Sequence, residues 1–275
     1  MSGTLYLVPT PIGNLGDISP RCRETIEQAD FIAAEDTRVT MKLLNHMELH
    51  KPLVSYYEHN KQESGRRILE RLLAGETCAL MTDAGTPAIS DPGEDLVRLC
   101  AENGITVCAV CGPCAAITAL ASSGLPTGRF TFEGFLSTNK KSRRDHLQSL
   151  LNEQRTMIFY EAPHKLCATL EDLKQAFGGD RKISMCRELT KLHEEILRMT
   201  LDEAVAYYTE QPPRGEYVLI VAGAEAPAET ALTLEDAVQL VESQVDAGFS
   251  KKDAVKRVAE QTGFPKNELY NAVLK

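Results

Sequence analysis

Tryptophan is absent from the chain, and aromatic residues make up only 6% of it. Binding through a stacked tryptophan platform is therefore excluded. No apolar run approaches the ~20 residues that cross a bilayer as a helix, so no membrane partner is expected. The N-terminus, Met-Ser-Gly-Thr-Leu-Tyr-Leu-Val-Pro, shows no basic stretch leading into an apolar one, and no signal peptide is expected there. The eight cysteines sit among apolar neighbours without a secretory context, which points to reduced thiols and a cytoplasmic location. Positive charge is also short: Lys+Arg 30 against Asp+Glu 39 gives a formal net charge of -9. Taken alone, that balance argues against nucleic acid, because phosphate binding normally shows as a net basic domain. Several catalytic signatures are missing too. Gly13 and Gly16 make only GxxG, and there is no Walker lysine loop, no HExxH and no GxSxG. The six histidines have no metal-ligand spacing, so no metal site is expected.

What is present is an ordinary globular composition, 43% hydrophobic and 25% charged, over 275 residues. The first half alternates strand-like and helix-like segments. Strands are predicted at residues 4–8, 30–34, 53–55, 78–81 and 105–110. Helices are predicted at 20 onward, 37–47, 62–73, 92–103 and from about 114. In the third helix Ile68, Leu69, Leu72 and Leu73 are expected on one apolar face. Repeated β-α units with near-continuous apolar strands predict a mostly parallel sheet covered on both faces. Residues 122–128, rich in Ser, Gly and Pro, read as a linker. Beyond it, strands at 130–135, 156–160, 183–187, 196–200 and 217–222 have fewer helices between them (142–152, 165–177, 202–208), which predicts a mixed sheet. A second linker is expected at 224–231, followed by three short helices resembling a helix-turn-helix unit. The organisation is thus α/β: an α/β domain over 1–123, another over 129–224, and a helical appendix over 233–275.

Polar and glycine-rich loops follow the apolar strands, where open α/β sheets place ligands. After the first strand stands VPTPIGNLGD (8–17), either a rigid turn or a ligand loop. The densest stretch, TDAGTPAISDPG (82–93), is longer than packing requires, and its small residues let a ligand approach the backbone. Glu35, Asp36 and Arg38 end the second strand. Adjacent carboxylates there suit general-base work, yet Asp36 equally suits a helix cap. Cys111-Gly-Pro-Cys114 has the spacing of a redox pair, but Val110 replaces the aromatic residue expected before it and the strand-helix repeat continues upstream, so it reads as small residues packing a tight turn. Lys140, Lys141, Arg143 and Arg144 oppose the dipole at the start of a helix, which favours a phosphate-contact role over a merely solvated face.

Taken in order, VPTPIGNLGD, AAEDTR, TDAGTPAISDPG, CGPCAAITALASSGLP, FEGFL, FYEAPHK, RELTK and GEYVLIVAG resemble the tetrapyrrole methylase superfamily, the class III S-adenosylmethionine-dependent methyltransferases. Within it they are similar to the branch that methylates small-subunit ribosomal RNA. The resemblance covers roughly residues 4 to 223 and the helical tail. It implies two α/β domains with the cofactor in the cleft between them. It also implies a homodimer, and methyl transfer to the ribose 2′-hydroxyl of a cytidine in the decoding region of 16S rRNA, within the small ribosomal subunit.

Matched position by position, the resemblance implies cofactor contacts at Pro11, Ile12 and Gly13, at Asp83, Ala84, Gly85 and Ala88, and at Cys114 and Ala115. In the second half it implies Tyr160, Glu161, Leu189 and Tyr217. Cys111 departs from the proline that many relatives carry, a change compatible with a turn. The catalytic candidates are Glu35, Asp36 and Arg38, with Glu133, Lys165 and Lys191 secondary. Lys140, Lys141, Arg143 and Arg144 are the expected RNA contacts. Two other functions fit the residues less well. One is methylation of a small molecule such as a tetrapyrrole, for which the basic run and the tail are superfluous. The other is an RNA-binding module without catalysis, which would bind no S-adenosylmethionine. With RNA as substrate, a chain this acidic must rely on local basic patches and on shape.

Overall fold

The structure, a computed structural model, describes residues 2–225 and 233–274. Residues 226–231 of the expected second linker lie outside them. Two compact units are present, one ending at Ala224 and one beginning at Glu225. The first contains two five-stranded sheets.

The first sheet is built from β1 (Thr4–Leu7), β2 (Phe31–Ala34), β3 (Leu53–Ser55), β4 (Cys78–Met81) and β5 (Thr106–Ala109) in the order β3-β2-β4-β1-β5. Every pairing is parallel. The period-2 alternation of these short apolar strands sends Ile32, Ala34, Ala79 and Met81 to one face. There they pack on α1 (Pro20–Gln28) and α2 (Thr37–His46). Leu5, Phe31, Ala33, Cys78 and Leu80 go to the other face, under α3 (Lys61–Leu73) and α4 (Gly93–Glu102). Ile68 and Leu72 of α3 are fully buried, whereas Leu73 is 52% exposed. A turn of 100° beyond Leu72 carries Leu73 off the apolar stripe on which it was expected.

The second sheet is mixed. It comprises β6 (Phe130–Phe135), β7 (Thr156–Glu161), β8 (Lys182–Arg187), β9 (Glu195–Thr200) and β10 (Tyr217–Val221) in the order β6-β7-β10-β8-β9. Only β6 and β7 run parallel. One face is covered by α6 (Lys140–Ser149), α7 (Leu166–Phe177) and α8 (Leu201–Glu210) around Met157, Phe159, Met185 and Leu219. The opposite face is covered by α5 (Ala115–Ser123), whose Ala116, Ala119 and Leu120 pack on Ile158, Val218 and Ile220. The helix that follows the last strand of the first sheet therefore covers the second sheet.

The expected 142–152 helix begins two residues earlier, at Lys140, because Asn139 caps it by accepting the amides of Lys141 and Ser142. The second unit holds α9 (Leu234–Asp246), α10 (Lys251–Thr262) and α11 (Lys266–Val273) around Ala237, Val241, Val258 and Leu269. Among the described residues no helix is long and apolar enough to cross a membrane.

Candidate active site

In the first sheet the chain leaves β1 for one side, through β2 and β3, and later returns to β5 on the other. The reversal falls at β1 and β4, where open α/β sheets hold ligands beyond the strand ends. The loops there are tied together. Thr10 and Gly85 exchange backbone hydrogen bonds of 3.0 and 3.1 Å, and Thr10 Oγ1 donates to the Thr82 carbonyl at 3.1 Å. Thr86 Oγ1 donates to the Pro113 carbonyl at 2.7 Å, joining the loop after β4 to the turn after β5. Gly85 sits at φ +88°, the left-handed region that a glycine reaches without strain. Gly112 fits under Pro9, where a Cβ would stand 2.7 Å from the Pro9 Cβ, so the Cys-Gly-Pro-Cys segment is a packed turn. Cys111 there is exposed, and Cys114 is the N-terminal cap residue of α5.

These loops face the ends of β7, β8 and β10 across a cavity of about 600 Å³. Ile12, Asp83, Ala84, Gly85, Cys114 and Ala115 line it from the first half, and Tyr160, Glu161, Leu189 and Tyr217 from the second. Three further residues expected at the cofactor, Pro11, Gly13 and Ala88, are not among the lining residues. Gly13 packs so tightly on the loop after β8 that a Cβ would lie 2.8 Å from Thr190 Oγ1. Ala88 has φ 69° and carries the bend of its loop.

Thr82 and Thr86, in the 82–93 loop, also line the cavity, as do Phe135, Cys186, Glu216 and Val218, which sequence reasoning did not single out. Phe135, 56% exposed, shows itself as part of the cleft only in the folded chain. Cys186 and Val218 lie inside apolar strands and look like core until the sheets are assembled.

Strain gathers at this cavity. Among the described residues, the non-glycine residues with positive φ are Ala88, Ser90, Glu188 and Thr190, all in the two loops that wall it, and Glu48 elsewhere. Such conformations cost of order 1–3 kcal/mol each and persist where the surroundings enforce them. Asp91 is one enforcer: its Oδ1 accepts the amides of Ala88 at 3.0 Å and Gly93 at 2.7 Å. Burial nevertheless holds the Asp91 carboxyl above its ordinary range. In the opposite loop, Lys191 Nζ bridges Glu188 and Glu216 at 2.9 Å each, so this secondary catalytic candidate is engaged in shaping the wall. Glu133 is likewise paired with His146 at 2.8 Å.

The three catalytic candidates occupy different situations. Glu35 lines the cavity and accepts Thr82 Oγ1 at 2.6 Å. Asp36 is not among the lining residues. Its Oδ1 caps α2 by accepting the Arg38 amide at 2.8 Å. Hydrogen bonds from the Arg38 side chain, and then that amide, hold its carboxyl down to about 2. Arg38 is 86% exposed and spends its guanidinium on Asp36. The group beside Glu35 is instead Asp83, whose Oδ1 accepts the Asp36 amide at 3.1 Å. The low-dielectric walls of the cleft, and then the Glu35 charge, push the Asp83 carboxyl upward. The structure thus sets Glu35 and Asp83 together in the cavity wall and turns Asp36 and Arg38 toward each other.

Tyr160 closes the cleft on the second-sheet side. Its ring meets Phe132 and Phe135 edge-on at centroid distances of 5.1 and 5.5 Å. Its hydroxyl accepts the Ala116 amide at 3.1 Å, supplying the cap that Cys114 does not give to α5. Burial pushes this phenol up to about 12. Tyr160→Phe should therefore cost about 1 kcal/mol in chemical denaturation, the typical loss of one such bond. An unchanged midpoint would show that water replaces the hydroxyl.

The basic run is divided by the helix. Lys140, Lys141 and Arg144 are exposed on α6, while Arg143 turns inward, its side chain only 13% exposed, to pair with Asp172. Lys140, Arg143, Arg144 and Lys165 lie along an open groove between α6 and α7. In the second unit Arg257 rests over the Phe249 ring at 4.3 Å. No cluster of His, Cys, Asp and Glu that could hold a metal ion occurs among the described residues.

Comparison with known proteins accords with this geometry. The sequence model of the Tetrapyrrole (Corrin/Porphyrin) Methylases matches residues 4–205, and that of the RsmI C-terminal HTH domain matches 234–275. The chain is 48% identical to the ribosomal RNA small subunit methyltransferase I of Synechocystis sp., covering 99% of this chain and 98% of that one. It is 50% identical to the protein of the same name from Halalkalibacterium halodurans, over 98% and 94%. Among solved structures, the uroporphyrin-III-C-methyltransferase of Thermus thermophilus matches with TM-score 0.57 at 17% identity, over 80% of this chain and 94% of that one. Diphthine synthase matches with TM-score 0.61 at 14% identity, over 80% and 90%. The structural likeness establishes the shared fold, and the sequence matches establish kinship: the chain belongs to the tetrapyrrole (corrin/porphyrin) methylase family, in its ribosomal RNA small subunit methyltransferase I group.

Proposed function

We propose that this protein transfers a methyl group from S-adenosylmethionine to the ribose 2′-hydroxyl of a cytidine in the decoding region of 16S rRNA, acting on the small ribosomal subunit. The charge of the cleft carries the reading. Its charged lining residues are the carboxylates Glu35, Asp83, Asp91, Glu161 and Glu216, with no lysine or arginine among them. Such a lining suits a cationic cofactor and repels one that bears phosphates. Its volume lies in the range of small-molecule sites, and Ile12, Phe135 and Leu189 offer apolar surface for a flat ring. When bound, S-adenosylmethionine supplies an electrophilic methyl group on a sulfonium.

The chain's own residues do the rest. The tied loops after β1, β4 and β5 form a rigid floor, and Tyr160 and Leu189 the opposite wall, so hydroxyl and methyl group meet in a fixed alignment. A ribose hydroxyl needs help losing its proton as the C–O bond forms. Asp83, made more basic by the cleft and by Glu35, takes that proton, while Thr82 keeps Glu35 in place. Asp36, with its carboxyl held near 2, is the weaker base. The ribosomal RNA in the names of the relatives supports the substrate class. Lys140, Lys141, Arg144 and Lys165 supply the phosphate contacts that a chain of net charge -9 cannot draw from bulk attraction. A homodimer in the cytoplasm completes the reading, and light scattering at twice the chain mass checks the assembly.

The decisive experiment incubates the protein with methyl-tritiated cofactor and, in parallel, assembled small subunits, free 16S rRNA and tetrapyrroles. Label is expected on the subunit at an alkali-resistant ribose position, with free RNA slower. Equal rates on particle and naked RNA would overturn the particle preference. Label only on a tetrapyrrole would overturn the substrate.

A further inference from the structure

Glu161 is the one buried carboxylate among the described residues, 4% exposed at the rim of the cleft. Its Oε1 accepts the Ala162 amide at 2.9 Å, and its Oε2 accepts the hydroxyl of Thr169, a fully buried residue of α7. That hydroxyl has one proton to give and gives it to Glu161. Its lone pair accepts Arg143 Nη2 at 2.8 Å. Arg143 Nε is meanwhile engaged by Asp172. The guanidinium polarises the hydroxyl, and the hydroxyl holds the carboxylate, with Thr169 and Glu161 both buried so that each link strengthens the next. One guanidinium shared by two carboxylates leaves a net negative charge whose buried end faces the cleft.

We infer that Arg143 and Thr169 are positioning residues that hold Glu161 against the positive charge of the bound cofactor, and that Arg143 is not an RNA contact despite its place in the basic run. The inference rests on the methyltransferase reading above. It gives the basic residues of 140–144 two different roles. Lys140, Lys141 and Arg144 address phosphate, while Arg143 is engaged by Thr169 and Asp172 of α7. What divides them is contact: Arg143, 100° around α6 from Arg144, is the one held by Thr169 and Asp172 of α7.

The test separates cofactor affinity from RNA affinity. Thr169→Val keeps shape and removes the hydroxyl, Thr169→Ser restores it, and Arg143→Gln removes the guanidinium. Thr169→Val and Arg143→Gln are expected to raise the KM for S-adenosylmethionine about tenfold, the worth of a hydrogen bond to a charged group, with a smaller effect on kcat. Thr169→Ser is expected to return it close to wild type, which a generic packing defect at α7 would not predict. In filter binding to small subunits, the double variant Lys140→Gln with Arg144→Gln should lose affinity and flatten the salt dependence, while Arg143→Gln keeps the wild-type slope. Arg143→Gln matching the double variant in RNA binding, with an unchanged cofactor KM, would overturn the inference. So would a Thr169→Val protein with wild-type cofactor KM. If Thr169→Val fails to fold, Arg143→Gln and Thr169→Ser still decide. Wild-type protein that binds no S-adenosylmethionine would overturn the methyltransferase reading itself, an outcome visible before any variant is made.

Discussion

Asp83→Asn is expected to lower methyl transfer by about 10²-fold or more while leaving thermal stability unchanged or raised. The two halves of this expectation share one cause. The cleft walls and the Glu35 charge disfavour the ionised Asp83 carboxyl in the folded protein, so its folded value lies above its unfolded one. The sign follows from linkage: a carboxyl raised on folding costs stability as pH rises through the unfolded value, and that cost persists above the folded one. The neutral amide removes the cost, and it also removes the proton acceptor. In the wild type the rate should climb with pH along an acid limb set by the raised Asp83 value, and this limb should be missing from the residual activity of the variant. Glu35→Gln tests the pairing separately. With the neighbouring charge gone, the acid limb should move to lower pH. Rate profiles and melting curves read both effects, and a wild-type rate in Asp83→Asn would remove that residue from the chemistry.

Gly93→Ala should unfold the cofactor loop, because a methyl group there has nowhere to go. Its Cβ would stand 2.6 Å from Asp91 Oδ1, 2.9 Å from the Ala88 nitrogen and 3.0 Å from Leu80 Cδ2. The first is the oxygen that accepts the Ala88 and Gly93 amides. Pushing it away releases Ala88 and Ser90 from the left-handed conformations at φ 69° and 67° that only the surrounding contacts sustain. Overpacking of this kind costs about 1–3 kcal/mol. The larger consequence is for binding, since Ile89, Ser90 and Asp91 line the cleft. Isothermal titration with S-adenosylhomocysteine should show at least a roughly tenfold loss, equivalent to about 1.4 kcal/mol. Unchanged affinity would mean that the loop does not shape the site.

Much of this cleft is legible in the linear order of residues, for a physical reason. Each ligand loop begins where an apolar strand of four or so residues stops, and the glycines, prolines and small polar residues that follow are those a backbone needs to bend sharply and admit a ligand. Residues such as Asp83, Gly85 and Cys114 announce themselves this way. Cys186 and Val218 do not, because a strand residue that ends against a cavity has the same apolar character as one that ends against a helix. Leu73 shows a similar failure, since apolar character alone does not say on which side of a stripe's edge a residue falls.

Adjacent residues of one kind are harder still. Glu35 and Asp36 are neighbours of equal chemistry, yet one faces the cavity beside Asp83 and the other caps a helix under Arg38. Lys140, Arg143 and Arg144 form one basic run, yet only Arg143 turns inward to Asp172 and Thr169.

The amino-acid sequence by itself determined the α/β alternation, the motif order that implies the family, the helical tail and the net charge of -9. These depend on local propensity and on patterns that survive in one dimension. Tertiary structure decided which carboxylates share the cleft, which arginine is available to a phosphate, and that α5, following the first sheet, covers the second. Such choices depend on distances of a few ångströms between residues dozens of positions apart. Only the packed chain sets them.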